Sequence, residues 1–265
     1  MFMKKFILPI ALLISLPAFS QVQISDLSKD DVEDVTNEFG ANFAHTVVAA
    51  PETDGIWGIE VGVVAGQTKT PNFSDVVDAS GGDGKDFKQA YHAGVFARAH
   101  FPYDLFAEVS FLPEQEFDDV KVKSQSFSVG WNAGAFFALP LDLAVGIDRG
   151  NGEVNFHQDA DIPNNTPDAD IKFETTTTVM WLGVSKEFWF VTPYAKIGTA
   201  KIEGELDAAA GVLGYNLGKA SDSVDLSGTF MAAGANVELG ILKLGVEASQ
   251  IIDTRRVSAK LSLDF

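Results

Sequence analysis

The chain has 265 residues, a formal net charge of −18 and no cysteine. This acidity excludes a nucleic-acid-binding role, because phosphates require a basic surface, and it argues against adhesion to anionic lipid. Disulfides are excluded as well, so sheet pairing and burial must stabilise the fold.

The first twenty residues have the plan of a cleaved secretory signal. Lys4 and Lys5 precede an apolar run over residues 6–16, and small residues precede an expected cut after Ser20. The run is too short to span a bilayer as a retained helix. We therefore predict export, and removal of the two lysines takes the formal charge from −18 to −20.

Residues 21–54 do not alternate as strands do. Val32, Val35 and Phe39 form an apolar stripe at helical spacing, which predicts a short helix from about Lys29 to Glu38. Two roles stay open for this region. It is either a periplasmic leader that packs on the rim of a barrel or a plug inserted into the lumen.

From Ile56 onward, apolar and polar residues alternate with a period of two, which is typical of strands with one apolar face. In the sixth strand the outward face stays open, because Met180 and Leu182 compete with Val179 and Trp181. Ten strands are predicted, at residues 56–66, 90–101, 105–111, 126–139, 143–147, 171–185, 191–202, 227–239, 242–249 and 257–265.

The connections between these strands fall into two kinds. Those after strands two, four, six and eight are tight, whereas those after strands one, five and seven are long and polar, at residues 70–86, 150–170 and 204–225. Short turns on one side and long loops on the other are the arrangement of outer-membrane barrels.

The last strand carries the most specific signal, because the chain ends on an aromatic residue after alternating apolar positions. It resembles the C-terminal recognition strand of bacterial outer-membrane β-barrels. The residues that carry this assembly signal are Val257, Ala259, Leu261, Leu263 and Phe265.

The resemblance implies an all-β fold, a ten-stranded antiparallel transmembrane β-barrel after a short N-terminal helix, located in the bacterial outer membrane. The expected partners are outer-membrane lipid and, through the last strand, the barrel-assembly machinery. The predicted domains are a signal peptide (1–20), a leader or plug (21–54) and the barrel (55–265). The alternative is an exported soluble sandwich or lipocalin-like barrel, whose apolar face would point inward.

In a membrane barrel, the polar face of each strand lines the lumen. Both signs of charge occur there, which favours structural ion pairs or a path for a solute. His92 and His100 are eight residues apart, roughly 26 Å along a strand, so they cannot share a metal; no metal or cofactor is expected. The lumen-facing candidates are Glu60, His92, Arg98, His100, Glu108, Asn132, Asp148, Tyr194, Lys196, Glu238, Lys243, Glu247 and Lys260.

One polar loop brings an enzyme into consideration, because ten-stranded omptin proteases use Asp and His pairs at the outer rim. Nothing else in the chain resembles that family, and the Pro and Asn residues of the loop are typical of a solvated connection, so we predict no enzyme. The residues in question are His157, Asp159, Asp161, Asp168 and Asp170.

Residues 37–62 resemble the plug of long-chain fatty-acid transporters, although the Asn-Pro-Ala-Gly motif of that plug is absent. The predicted function is a passive outer-membrane channel for a small or hydrophobic solute, with an N-terminal plug. The alternative is a non-transporting envelope barrel that binds a partner through acidic extracellular loops. The pattern names neither the solute nor the partner.

Overall fold

The protein is a closed barrel of ten antiparallel strands preceded by a helix, which confirms the predicted fold class. The computed structural model describes residues 29–51, 57–79, 84–117, 120–133, 140–159, 168–212 and 215–265. The predicted signal peptide lies outside these residues. The strands are β1 (Gly58–Lys69), β2 (Gln89–Phe101), β3 (Leu105–Phe117), β4 (Val120–Asn132), β5 (Asp142–Asp159), β6 (Asp168–Ser185), β7 (Val191–Val212), β8 (Tyr215–Leu239), β9 (Leu242–Ile251) and β10 (Thr254–Asp264).

The first and last strands close the barrel. Every strand pairs with its neighbours in sequence, and β1 pairs with β10. The terminal residue takes part in the seam, since the backbone N–H of Phe265 donates to the carbonyl of Ile59 over 2.9 Å, and the N–H of Ile59 donates to the carbonyl of Phe265 over 3.1 Å. Among the ten described strands the closure leaves no unpaired edge, as a bilayer requires.

Burial in this barrel is reversed relative to a soluble β-protein. Charged side chains on the inner face are almost fully buried, with Glu60 at 1% exposure, whereas Val246 on the outer face is 57% exposed. The soluble alternative with an apolar interior is therefore wrong. The outer apolar belt includes Ile59, Val61, Val95, Leu105, Val109, Phe111, Phe127, Val129, Val145, Met180, Leu182, Ile197, Met231, Leu244, Val246, Val257, Leu261 and Leu263.

Aromatic residues collect at the end of the barrel that carries the short turns. Aromatic girdles mark the membrane–water interfaces of transmembrane barrels, so this end lies at one edge of the apolar belt. The exposed members are Trp57, Phe101, Tyr103, Trp131, Phe188, Trp189, Phe190 and Phe265. In the part of the chain described here, no helix has the length and hydropathy to cross a bilayer.

Two of the predicted long loops are wrong. Strands β5 and β6 stay paired up to Asp159 and Asp168, and β7 and β8 up to Val212 and Tyr215. Sequence periodicity missed these extensions because they rise beyond the apolar belt, where neither face needs to be apolar. In these extensions the strands stay paired through their backbones, and many of their residues are Thr, Glu, Lys or Gly.

The other boundaries shift less. The connection between β1 and β2 contains a helix, α2 (Pro71–Ala79), where a plain loop was expected. The fourth strand ends at Asn132, and the remainder of its predicted span, residues 134–139, lies outside the described residues. In β6, Val179 and Trp181 point inward and Met180 points outward, which settles the face left open by the sequence.

The helix α1 (Lys29–Phe43) extends five residues past its predicted end. Together with the extended stretch that follows, it forms a luminal segment, residues 29–51. Every residue from Glu38 to Pro51 is buried, and inward-facing strand residues contact the segment along its length. A ten-stranded barrel is wider than the eight-stranded barrels that side chains alone can fill, and this segment occupies the remaining space.

Candidate functional site

The candidate site is the lumen, where the wall of the barrel meets the luminal segment. All thirteen predicted lumen-facing residues lie in described strands; twelve are buried, and Glu238 is half-buried. Most of the buried charges pair with one another, because an unpaired charge away from water is strongly unfavourable. Their role in transport or binding stays a prediction.

One ion-pair group joins β1, β2, β3 and β10. The ammonium of Lys260 lies 2.6 Å from the carboxylate of Glu60. On the neighbouring strands, Arg98 Nε lies 3.0 Å from Glu108 Oε2, and His45 of the luminal segment lies 3.0 Å from the other oxygen of Glu108. The wall and the segment thus share one carboxylate.

A second group lies on β4 to β9. Lys196 Nζ is 3.1 Å from Glu247 Oε2, and the hydroxyl of Tyr194 donates to the same oxygen over 3.0 Å. Asp148 accepts hydrogen bonds from Ser128 and from the indole of Trp181, over 2.6 and 2.9 Å. Each carboxylate is therefore satisfied by at least two donors.

The remaining predicted residues are more scattered. His92 contacts Asn42 of the luminal segment over 3.2 Å and Ser258 of β10 over 2.9 Å. Lys243 pairs with Glu238 and with Asp264, both over 2.9 Å, near the short-turn end. His100 lies beside the Phe106 ring, with 6.5 Å between the ring centroids, so the two predicted histidines have separate surroundings.

Arg256 is the residue that holds the luminal segment most extensively, and the sequence analysis did not select it. It is 2% exposed, and its guanidinium donates to the backbone carbonyls of Ala41, Ala44 and His45 over 3.1, 2.8 and 3.4 Å. These carbonyls belong to the end of α1, where unpaired carbonyls and the helix dipole favour a cation. The sequence did contain a signal for Arg256: if the last predicted strand, 257–265, is extended by one residue, the alternation places Arg256 on the inner face.

Three other wall residues also bind the backbone of the segment. Lys196 donates to the carbonyl of Val47 over 2.5 Å, and Thr177 donates to the carbonyl of Gly40 over 2.7 Å. Ser185 donates to the carbonyl of Pro51. This mode of contact depends on the path of the segment more than on its sequence.

Wall glycines leave the space into which the segment fits. A methyl group added at Gly152 would collide with the ring of Phe43, and one added at Gly204 would collide with Thr36. At Gly150 the added group would meet the backbone around His45. The inner wall is therefore shaped around the segment.

His45 of the segment bridges Ser126 and Glu108. Its Nδ1 lies 2.5 Å from Ser126 Oγ, and its Nε2 faces Glu108. In serine hydrolases the carboxylate meets Nδ1 and the serine meets Nε2, so this ring is turned the other way. We interpret the group as an anchor for the segment.

The loop considered for an enzyme cannot be placed in the same way. Its residues lie outside the described part of the chain: Asp161 and the side chains of His157, Asp159, Asp168 and Asp170.

No group of three His, Asp or Glu side chains within the described ranges is arranged to hold a metal ion.

The lumen wall also has an apolar part, which packs against Ala41 and Ala44 of the segment. Its buried members are Phe106, Ala144, Val179, Trp181, Ala200, Ile202, Phe230, Ala232 and Ile251.

At the long-strand end of the barrel, the luminal segment holds α2. The carboxylate of Glu38 accepts hydrogen bonds from the backbone N–H groups of Asn72 and Phe73 over 2.8 and 2.9 Å, at the start of α2. Phe39 stacks edge-on against Phe73 with 5.0 Å between ring centroids. The helix in the first connection is therefore fixed to the segment beneath it.

This contact depends on pH through Glu38. Burial raises the pKa of the Glu38 carboxyl to about 7; the two N–H bonds oppose that rise, and the charges of Asp34 and Asp75 add to it. Because this pKa exceeds that of the unfolded chain, the stabilisation is complete below about pH 4.5 and is lost as the pH rises through 7.

We therefore expect hydrogen-exchange protection of the α2 amides to fall as the pH rises from about 4.5 to about 7, with a midpoint between these two values, and to level off above the raised pKa of Glu38. Glu38→Gln keeps the shape of the side chain without a titrating group and should flatten the profile. An unchanged midpoint in this variant would assign the titration to another group.

The closed strand order, the outward apolar belt and the enclosed ion pairs define a transmembrane β-barrel of the outer-membrane type. No family model and no curated protein matches the chain.

Solved barrel structures do match the chain. Ail, the attachment invasion locus protein of Yersinia pestis, is 13% identical, with 80% of this chain and 100% of that chain covered and a TM-score of 0.35. The translocator domain of the autotransporter NalP from Neisseria meningitidis is 10% identical, with coverage of 80% and 88% and a TM-score of 0.39. A mutant of the monoaromatic hydrocarbon channel TodX is 9% identical, with coverage of 84% and 72% and a TM-score of 0.35. At these values the comparisons do not extend to function, and the class rests on strand topology and burial.

Proposed function

We propose that this protein is a passive outer-membrane channel whose lumen is closed at rest by residues 29–51 acting as a plug. The observation that carries the proposal is the interface between wall and segment. Arg256, Lys196, Thr177 and Ser185 all bind backbone carbonyls of the segment. Such contacts can be released without breaking the strand pairing of the barrel.

The wall behind the segment supports a path for a solute. The ion pairs Glu60–Lys260 and Lys196–Glu247 are made within the wall, so they remain paired when the segment is withdrawn. The apolar part of the wall around Trp181 and Phe230 would then face the same space. A wall divided in this way favours a small solute with both an apolar body and a polar group.

Arg256 provides the test of how the plug is held. Arg256→Met leaves three buried carbonyls without this donor, and each unsatisfied buried acceptor costs about 1–3 kcal/mol. We expect the variant to show intermittent conducting steps in planar bilayers where the parent shows none. Arg256→Lys should be intermediate, because a single ammonium cannot reproduce the fork of a guanidinium.

The neighbouring residue supplies a matched control. Arg255 is exposed on the outer face of the same strand, so Arg255→Met should leave the barrel closed. If a correctly folded Arg256→Met barrel conducts no more than the parent does, the guanidinium does not hold the plug.

The second candidate is a non-transporting barrel that binds a surface partner. It is supported by the charged outer wall of the long strands beyond the apolar belt. There, Lys123, Glu153, Glu174, Glu203 and Asp225 line a concavity of about 730 Å³. This candidate predicts a barrel that stays non-conducting even when the luminal segment is removed.

A further inference from the structure

The luminal segment has a defined direction inside the barrel, which can be read from the order of its contacts. Thr36 lies against Gly204, beyond the apolar belt on β7. Further along the segment, Val47 meets Lys196 deep in the barrel. Pro51 finally meets Ser185, the last residue of β6 before a short turn. The segment thus runs from the long-strand end to the short-turn end as the residue numbers rise.

Two observations place the start of the segment at the long-strand end. Burial and nearby carboxylates raise the pKa of the Asp34 carboxyl in α1, and one of those carboxylates is Asp253, in the turn between β9 and β10. Glu38 binds the first N–H groups of α2 in the connection between β1 and β2. Both connections lie at the end opposite the short turns. Lys29 lies nine residues before Glu38, and its side chain is 73% exposed.

In outer-membrane barrels, the short turns face the periplasm and the longer connections face the exterior. We propose that the luminal segment crosses the outer membrane from outside to inside, so that Lys29 and the first turn of α1 are displayed on the cell surface. The segment then enters the lumen from the outer mouth and reaches β1 at the periplasmic end.

This direction has a consequence for assembly. A chain delivered from the periplasm must carry the start of α1 to the outer mouth before or while the barrel closes. The reciprocal backbone hydrogen bonds between Ile59 and Phe265 belong to the seam between β1 and β10. Arg256, also on β10, donates a hydrogen bond to the carbonyl of Ala44 at the end of α1. The strand that closes the barrel is thus also one of the strands that hold the segment in the lumen.

The surface so displayed is acidic. The exposed first turn of α1 carries Asp30, and Asp253 is exposed in the adjoining turn. The only cation of that first turn, Lys29, is 3.6 Å from Glu33. The first turn of α1, with one lysine and two aspartates, therefore presents a net negative charge at the outer mouth.

The experiment uses the full chain, which contains no cysteine, so that one introduced thiol is the only target. Cells that express Lys29→Cys are treated with a polymer-linked maleimide too large to cross the outer membrane, and the mass shift is read on a gel. Asp253→Cys marks the expected outer side, and Glu187→Cys, in the exposed turn between β6 and β7, marks the expected periplasmic side.

We expect Lys29→Cys and Asp253→Cys to react on intact cells to a similar extent, and Glu187→Cys to react only after permeabilisation. Labelling of Asp253→Cys without Lys29→Cys on intact cells would overturn the proposal. Labelling of Glu187→Cys on intact cells would overturn it too, because the barrel would then be inverted. Neither result depends on conductance, so the direction of the segment can fail while the channel proposal stands, and the reverse.

Discussion

Deleting residues 21–53 is expected to turn a closed barrel into a conducting one in planar bilayers. The deletion removes the segment that Arg256 and Lys196 bind. The wall glycines opposite that segment, Gly152 and Gly204 among them, cannot refill the space because they carry no side chains. Water should enter along the ion-paired face, and discrete conductance steps should replace a flat baseline.

A shorter deletion is the matched control. Removing residues 21–28 alone keeps the luminal segment and should leave the barrel closed. Both variants must show the gel mobility of a folded barrel, which shifts on boiling. A folded barrel that lacks residues 21–53 and still shows no conductance would contradict the channel proposal and favour the surface-binding alternative.

The second large effect concerns the lipid face. Val246 is 57% exposed on the outer side of β9, between Leu244 and Ala248. Val246→Arg places a charge among lipid tails and should lower the free energy of unfolding by about 2–4 kcal/mol, the range known for the bilayer midplane. The measurement is a denaturant titration of the protein in lipid vesicles.

Thr229→Arg serves as the comparison, because Thr229 is also exposed on the outer face but lies beyond the apolar belt. The expected loss is about 0–1 kcal/mol, as near the bilayer interface. Equal losses of unfolding free energy at Val246 and Thr229 would show that the two positions do not differ in membrane depth, which contradicts the placement of the apolar belt.

The sequence predicted the barrel well because the physical signal is strong wherever one strand face meets lipid. On β10, Val257 and Leu261 are exposed while Ser258 and Lys260 are buried, in the phase that alternation predicts. The same signal vanished beyond the belt. In β5 beyond the belt, the buried apolar residue Val154 lies on the inner face and the charged Glu153 on the outer face, which reverses the lipid-facing phase. The backbone pairing was therefore needed to show that residues 150–159 and 204–212 are strands.

The contacts of the luminal segment could not be predicted, because they join residues far apart in the chain. Arg256 meets Ala41 across 215 positions, and His45 meets Ser126 across 81. No local pattern encodes these pairs, and their backbone acceptors have no sequence signature. The predicted charges were found on the right face, but their pairing, such as Glu60 with Lys260, required the register of β1 on β10.

The most direct test of the account is the orientation of one strand in the membrane. Nitroxide labels introduced singly at positions 242–249 of β9 report how often each site collides with oxygen, which concentrates in lipid. We expect collision rates to alternate, with maxima at Leu242, Leu244, Val246 and Ala248 and minima at the positions between them. Maxima at Lys243, Gly245 and Glu247 would contradict the account, because the charged face would then be the one turned to lipid.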